Sequence, residues 1–276
     1  MRRHELSDAE WEFVRPLLPE PLRGRKRLDD RRVLNGIVWK FRTGTAWRDV
    51  PERYGPWATL HTRFRRWALD GTFERMLRAA QANADAAGCV DWLVSVGSTV
   101  VRAHQHAAGA RKGGPSARPL GRSRGGLTSK IHLACDGVGR PLALTVTGGN
   151  TNDCTQFTAV MEAIRVPRVG PGRPRLRPAH VLGDKGYSSR AIRTWLRRRG
   201  ISHTIPERAD QIRNRLRRGS RGGRPPAFDK QLYKRRNVVE RCFNRLKQWR
   251  GIATRYDKTA DSYQAAVTLA SLLMWA

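Results

Sequence analysis

Near residue 90 the hydrophobic period of this chain changes, and the change limits the folds open to it. Before that point apolar residues recur at the three- and four-residue spacing of amphipathic helices. Residues 7–18 open with Ser7 and Glu10 three positions on, a capping box, followed by Trp11, Val14, Leu17 and Leu18. Residues 29–42 repeat the logic, with Asp30 as the cap and Val33, Leu34, Ile37, Val38 and Phe41 as one stripe. Residues 58–69 place Leu60, Phe64, Trp67 and Ala68 inward, with Arg63, Arg65 and Arg66 around them, and residues 72–87 form a fourth helix. Four short helices with basic outer faces predict a small all-helical, helix-turn-helix-like DNA-binding domain over residues 1–88, with Arg63, Arg65 and Arg66 on DNA.

After residue 90 the runs become short, β-branched and bounded by turns. Residues 93–101 are a buried strand, and 125–137 and 139–149 are two arms of a hairpin through Asp136-Gly137-Val138-Gly139. A helix at 154–165, a strand ending in "AHVLGDKGY", a helix at 188–200 and the strand "ISHTIPE" follow, with helices at 231–250 and 260–275. The fold class is therefore α/β over residues 89–276, a mixed sheet flanked by helices. Two basic, Gly-rich segments, 107–126 and 207–230, read as loops.

Charge narrows the partner. The chain has 276 residues with 54 Lys+Arg against 23 Asp+Glu, a net charge of +31. A field of that size calls for a polyanion, and nucleic acid is the leading choice. A membrane surface is the rival, but no lipidation motif, signal-peptide core or long apolar run is present. The four cysteines are scattered without a CxxC pair, which points to reduced thiols and a cytoplasmic setting. No GxSxG or GxxxxGK[ST] appears, so neither a serine nucleophile nor a nucleotide loop is indicated.

Two acids stand out. Asp184 follows the apolar Val181-Leu182, at the carboxyl end of a strand where α/β proteins place ligands; the plain alternative is a turn aspartate. Glu240 is the one acid among Lys234, Arg235, Arg236, Arg241, Arg245 and Lys247. It either relieves that helix's self-repulsion or ligates a metal. On one helix, Tyr233, Arg236, Glu240 and Lys247 share a face. Two-ion phosphoryl transfer needs such carboxylates: Mg²⁺ takes oxygen ligands, and two ions about 4 Å apart activate the attacking oxygen and stabilise the leaving one. Asp153 is a helix cap or an acid near such a site. His104 and His106 mark a solvated strand end or, at their spacing, a metal pair.

The spacing Tyr233, Arg236, Glu240, Lys247 resembles the signature of DDE insertion-sequence transposases of the IS-four and IS-five groups. "LGDKGY" is similar to that family's second-aspartate strand, "LNGIVWKFRTGTAWRDVPERYGPWATLHTRFRRW" to its N-terminal region and "GRSRGGLTSKIHLACDGVGRPLALTVTGGNTND" to its central strands. The resemblance implies an RNase H-like core using Mg²⁺ or Mn²⁺, with Asp184 and Glu240 as catalytic metal ligands. It also implies Tyr233, Arg236 and Lys247 on DNA. Such proteins bind terminal inverted repeats, cut there and join the 3′-hydroxyl to target DNA, and a homodimer in a bacterial, nucleoid-associated complex is the corresponding expectation.

One position departs from the family. In "WLVSVGSTVVRAHQH" the first acid of the family is expected at residue 97, which is glycine. From the strand alone, Gly97 reads as a bulge or a close backbone approach; beside the family it reads as a lost carboxylate. Asp91 and Asp136 are the nearest substitutes. Two functions follow: a transposase impaired at residue 97, or a remnant that only binds DNA. A general basic nucleic-acid-binding protein is a third class, opposed by the ordered strands.

Overall fold

The computed structural model describes residues 3–20, 28–108 and 120–276. The middle of the 107–126 segment lies outside the described residues. The helical part comprises α1 (Asp8–Val14), α2 (Asp30–Thr43), α3 (Trp57–Leu69) and α4 (Thr72–Ala86). Ser7 and Glu10 close the capping box on α1. At α2 the cap is Asp29, one residue before the expected Asp30, and its side chain accepts from the Arg32 N–H. Asp30 instead receives Arg63 Nη1 at 2.8 Å.

That pair corrects one expectation. Arg63 does not face outward: its guanidinium is buried beside Asp30 and lies 5.4 Å from the Trp67 ring centroid. Arg65 and Arg66 remain exposed. The heptad-like offsets of α3 put residue 63 on the flank of the Leu60–Phe64–Trp67 stripe, where a long side chain folds onto the aromatic surface.

The sheet is built from β1 (Leu93–Ala103), β2 (Gly121–Ser123), β3 (Gly126–Cys135), β4 (Pro141–Gly148), β5 (His180–Leu182), β6 (Ser202–Thr204) and β7 (Thr254–Arg255). Its main path runs β2-β3-β1-β5-β6, with β4 on β3 and β7 on β1. β1, β3 and β4 are antiparallel neighbours, whereas β5 and β6 run parallel to β1. This is the expected mixed sheet.

Four helical elements flank it: α5 (Gln105–Ala108), α6 (Asp153–Ala163), α7 (Arg190–Arg198) and α8 (Ala209–Arg217). At the C-terminal end lie α9 (Lys230–Lys234), α10 (Asn237–Lys247), α11 (Arg250–Ala253) and α12 (Ala260–Leu272). The 207–230 segment is thus not wholly loop, since α8 occupies part of it, and β2 occupies the end of 107–126. The single helix expected at 231–250 is three pieces, turning at Arg235–Arg236 and again at Gln248–Trp249.

α12 packs on α3, α4 and β4, and α11 packs on α2. One apolar cluster therefore runs from Val33, Phe41 and Trp67 through Val94 and Leu133 to Val239 and Leu269. The 88/89 division falls between α4 and β1, and the core continues across it. Gln81 of α4 donates to the Pro141 and Leu142 carbonyls at 3.0 Å, tying the helical part to the β4 edge.

Candidate catalytic site

The β1–β3 register passes through Gly97, opposite Leu133, without a shift. There is no bulge at Gly97, which corrects that reading. The glycine has another physical reason. A Cβ on residue 97 would stand 3.1 Å from both Val239 Cγ2 and Phe243 Cε2. α10 therefore lies so close on β1 that a side chain at this position would need it to give by a few tenths of an ångström.

The same geometry relates the three positions expected to carry the acids. β5 pairs with β1 in parallel register, the last pair being Ser95 with Leu182. Continued at the same offset, that register sets Asp184 level with Gly97. Across the sheet face, Gly97 points at Val239, the neighbour of Glu240 in α10. The register thus brings Asp184 toward the stretch of β1 that holds Gly97, and α10, which carries Glu240, packs over that stretch through Val239 and Phe243.

Their side chains are not gathered there. Asp184 Oδ1 accepts the Gly186 N–H at 2.7 Å and opens a short 3-10 turn. Glu240 is 51% exposed and takes Arg236 Nη1 at 3.1 Å. No three of His, Cys, Asp and Glu come together as metal ligands among the described residues. Oxygen donors suit Mg²⁺ or Mn²⁺, but two carboxylates, one bonded within its own turn and one drawn to an arginine, do not by themselves fit a two-ion site.

The proposed DNA-positioning residues separate as well. Tyr233 lies on α9, its ring 5.1 Å from Phe228, with the Arg236 guanidinium 5.8 Å from its centroid. Arg236 is the N-cap of α10. Lys247 Nζ donates to the Val100 carbonyl at 3.2 Å, on the β1 edge left open between β5 and β7, and burial lowers its pKa. Lys247 thus caps a strand edge.

The substitute acids are committed elsewhere. Asp136 is fully buried at the hairpin turn; its Oδ1 accepts the N–H groups of Val138, Gly139 and Arg140, and its Oδ2 takes the Arg140 guanidinium. Asp91 takes Arg235 Nη2 at 2.6 Å and the Leu93 N–H at 3.0 Å.

Behind Asp184, on the face opposite α10, lies a polar layer that sequence reasoning only touched at Asp153. The α6 cap is Asn152, not Asp153. Asp153 Oδ1 instead receives Lys130 Nζ at 2.9 Å. The Cys154 thiol donates to the Gly186 carbonyl, gripping the Asp184 turn. Tyr187 from that turn is buried beside Ser98, its hydroxyl without a well-formed hydrogen bond; burial, then the Asp153 and Asp184 charges, push its pKa up. The signal for this layer was the alternation Lys130, His132 on β3, polar residues on a face expected to be apolar.

His132 gives the layer a pH dependence. Its Nε2 meets Thr147 Oγ1 at 2.8 Å, and it is 1% exposed. Burial, against the pull of Asp153, lowers its pKa from 6.5 to about 4. The unfolded chain therefore binds the extra proton first as pH falls, and stability present above 6.5 is lost on descending through 4. The expected loss is about 3 kcal/mol at one unit of pKa per 1.36 kcal/mol. Urea midpoints from pH 7 to pH 4 should show this step, and His132→Gln should flatten it.

Two family models match the chain: "Putative transposase of IS4/5 family" over residues 6–77 and "Transposase DDE domain" over residues 89–275. The chain belongs to the DDE transposase family. The sheet order described above is its RNase H-like core. This transposase is 37% identical over 166 residues to the "Putative transposase for insertion sequence element IS402" of Burkholderia cepacia, covering 60% of this chain and 69% of that one. It is 28% identical over 149 residues to the "Putative transposase for insertion sequence element IS6501" of Brucella ovis, covering 54% and 98%. Among solved structures, the "Mos1 transposase paired-end complex with left transposon end" matches at 12% identity and a TM-score of 0.26, over 82% of this chain and 80% of that chain.

Proposed function

We propose that this transposase binds the ends of its insertion sequence and that strand cleavage and transfer are impaired by the missing carboxylate at residue 97. The observation that supports this reading is the parallel β1–β5 register, which when continued sets Asp184 level with Gly97, together with the packing of Val239, next to Glu240, over that glycine. Asp184 and Glu240 are the remaining carboxylates of the site. Its membership in the family implies a phosphoryl-transfer reaction that uses divalent cations. Inverted repeats as the bound sequence, capture of target DNA and a dimer belong to this proposal. Among the described residues no helix is long and apolar enough to cross a membrane.

The test is cleavage of a DNA fragment carrying the element's flanking repeats by the purified chain in Mg²⁺ and Mn²⁺. Specific binding with cleavage at or near background is expected. Robust cleavage by the Gly97 chain would refute the impairment, and binding without preference for the repeats would favour the general basic protein.

The arginines of α3 divide on the same assay. Arg65→Ala and Arg66→Ala should each reduce the dependence of log K on log salt by about 1, as expected for lost phosphate contacts. Arg63→Ala should leave that slope unchanged and instead lower stability, because it removes the ion pair with Asp30 and the packing on Trp67 beside the core.

A further inference from the structure

A cavity of about 290 Å³ lies where the helical part meets the far end of β1. Its lining includes Trp47, His104, His106 and Tyr256 as ring walls, with Lys40 and Asp257 as charged groups. The His104 ring stands 4.5 Å from His106 and 4.9 Å from Tyr256. His104 is seven residues beyond Gly97 along β1, about 23 Å at the rise of a strand. The cavity is thus separate from the carboxylate site.

The two charges meet only loosely, and the buried Arg255, whose Nε donates to the Asp257 carbonyl at 3.0 Å, and His61 add to the field at Asp257. Lys40 and Asp257 side chains are 3% and 8% exposed, and Nζ stands 3.9 Å from Oδ1. A charge-assisted hydrogen bond is about 2.7–2.9 Å long, so the pair is open by about an ångström. Among the described residues Asp257 Oδ2 has no hydrogen-bond partner, and it is buried. Lys40 otherwise leans on rings, 4.0 Å from the Phe41 centroid and 5.2 Å from that of Trp47. A buried ammonium and carboxylate left in this state call for a ligand that both donates and accepts. The volume is at the small end of ligand pockets, which run from about 300 Å³. Exposed Arg48 and Lys258 follow Trp47 and Asp257 in the chain and make the surroundings basic.

We propose that this cavity receives one unpaired nucleobase of bound DNA, guanine in preference to the others. The walls supply stacking, which any base can use. The floor supplies the preference. Guanine carries the O6 acceptor beside N–H donors on one edge, so O6 meets Lys40 while the N–H edge meets the open oxygen of Asp257. Thymine sets O4 beside a single N3–H and lacks the second donor of the guanine N2 amine, cytosine sets one amine beside the N3 acceptor, and both have a smaller stacking face. The proposal rests on the DNA-binding reading above and goes beyond it in naming a base-reading site away from the carboxylates.

The experiment uses the full chain and four 20-base-pair duplexes of one sequence: fully paired, with one unopposed guanine, with one unopposed thymine, and with one unopposed abasic nucleotide. Affinities are read by fluorescence anisotropy at fixed salt. The guanine duplex should bind about 5- to 100-fold tighter than the paired one, the range that stacking of one base supports. Thymine should fall between them, and the abasic duplex should match the paired one. His106→Ala, at the exposed rim, and Tyr256→Ala should reduce the guanine advantage, and Asp257→Asn should bring guanine down to thymine. Equal binding of all four duplexes overturns the pocket while leaving DNA binding intact. An abasic duplex as tight as guanine also overturns it, because bending alone then explains the gain. Failure to bind any duplex removes the DNA-binding reading and the pocket together.

Discussion

Gly97→Asp is expected to raise metal-dependent DNA cleavage at least about 100-fold over the chain as it stands. Loss of a residue that merely supports a metal ligand costs about 10–100-fold, and a ligand itself should matter no less. The new carboxylate would enter between β5 and β7, level with Asp184 and beneath the helix of Glu240. The substitution also has a structural cost. Its Cβ arrives 3.1 Å from Val239 and Phe243, so α10 has to lift by a few tenths of an ångström. Overpacking of this kind costs about 1–3 kcal/mol. Gly97→Ala separates the two effects: it should lose similar stability and gain no cleavage. Gly97→Asp with Val239→Ala should recover room for the carboxylate. A thermal midpoint raised by Mn²⁺ in Gly97→Asp but not in Gly97→Ala would report the metal site independently of activity. Absence of any metal response and of cleavage in the aspartate variant would show that residue 97 is not the missing ligand position.

Asp136→Ala is expected to destabilise the fold by about 3–5 kcal/mol, the cost of breaking one side of a buried ion pair. The carboxylate is fully buried, accepts three backbone N–H groups and holds Arg140. Its removal leaves those donors and a guanidinium without their acceptor at the turn joining β3 to β4. Urea denaturation of wild type and variant measures the loss. If Asp136 instead substituted for the missing metal ligand, Asp136→Ala would change metal response with little change in stability. Asp136→Asn separates charge from shape, since it keeps the side chain's volume and one acceptor.

Much of the architecture was legible in the residues. The apolar period marked α1 to α4, the β1 strand, the β3–β4 hairpin and the closing helix. Charge indicated a polyanionic partner, and the spacing around Glu240 indicated the family. Less legible were features that depend on distant segments. The Tyr233–Lys247 stretch has helical composition throughout, yet it turns at Arg235–Arg236, where Arg235 reaches Asp91, 144 residues away. Arg63 has the sequence signature of a surface arginine, but Asp30 and Trp67 draw it inward.

Gly97 shows the division most clearly. The sequence alone determined that this strand carries glycine, not a carboxylate, at residue 97, the position expected for the first acid, because residue identity needs no folding to be read. Only the tertiary structure decided that the strand carries no bulge, that Asp184 stands level with the glycine, and that Val239 and Phe243 occupy the space above it. Those facts depend on strand register and on the distance between a helix and a sheet. Both are set by packing among residues from tens to more than a hundred positions apart, and no local pattern encodes them.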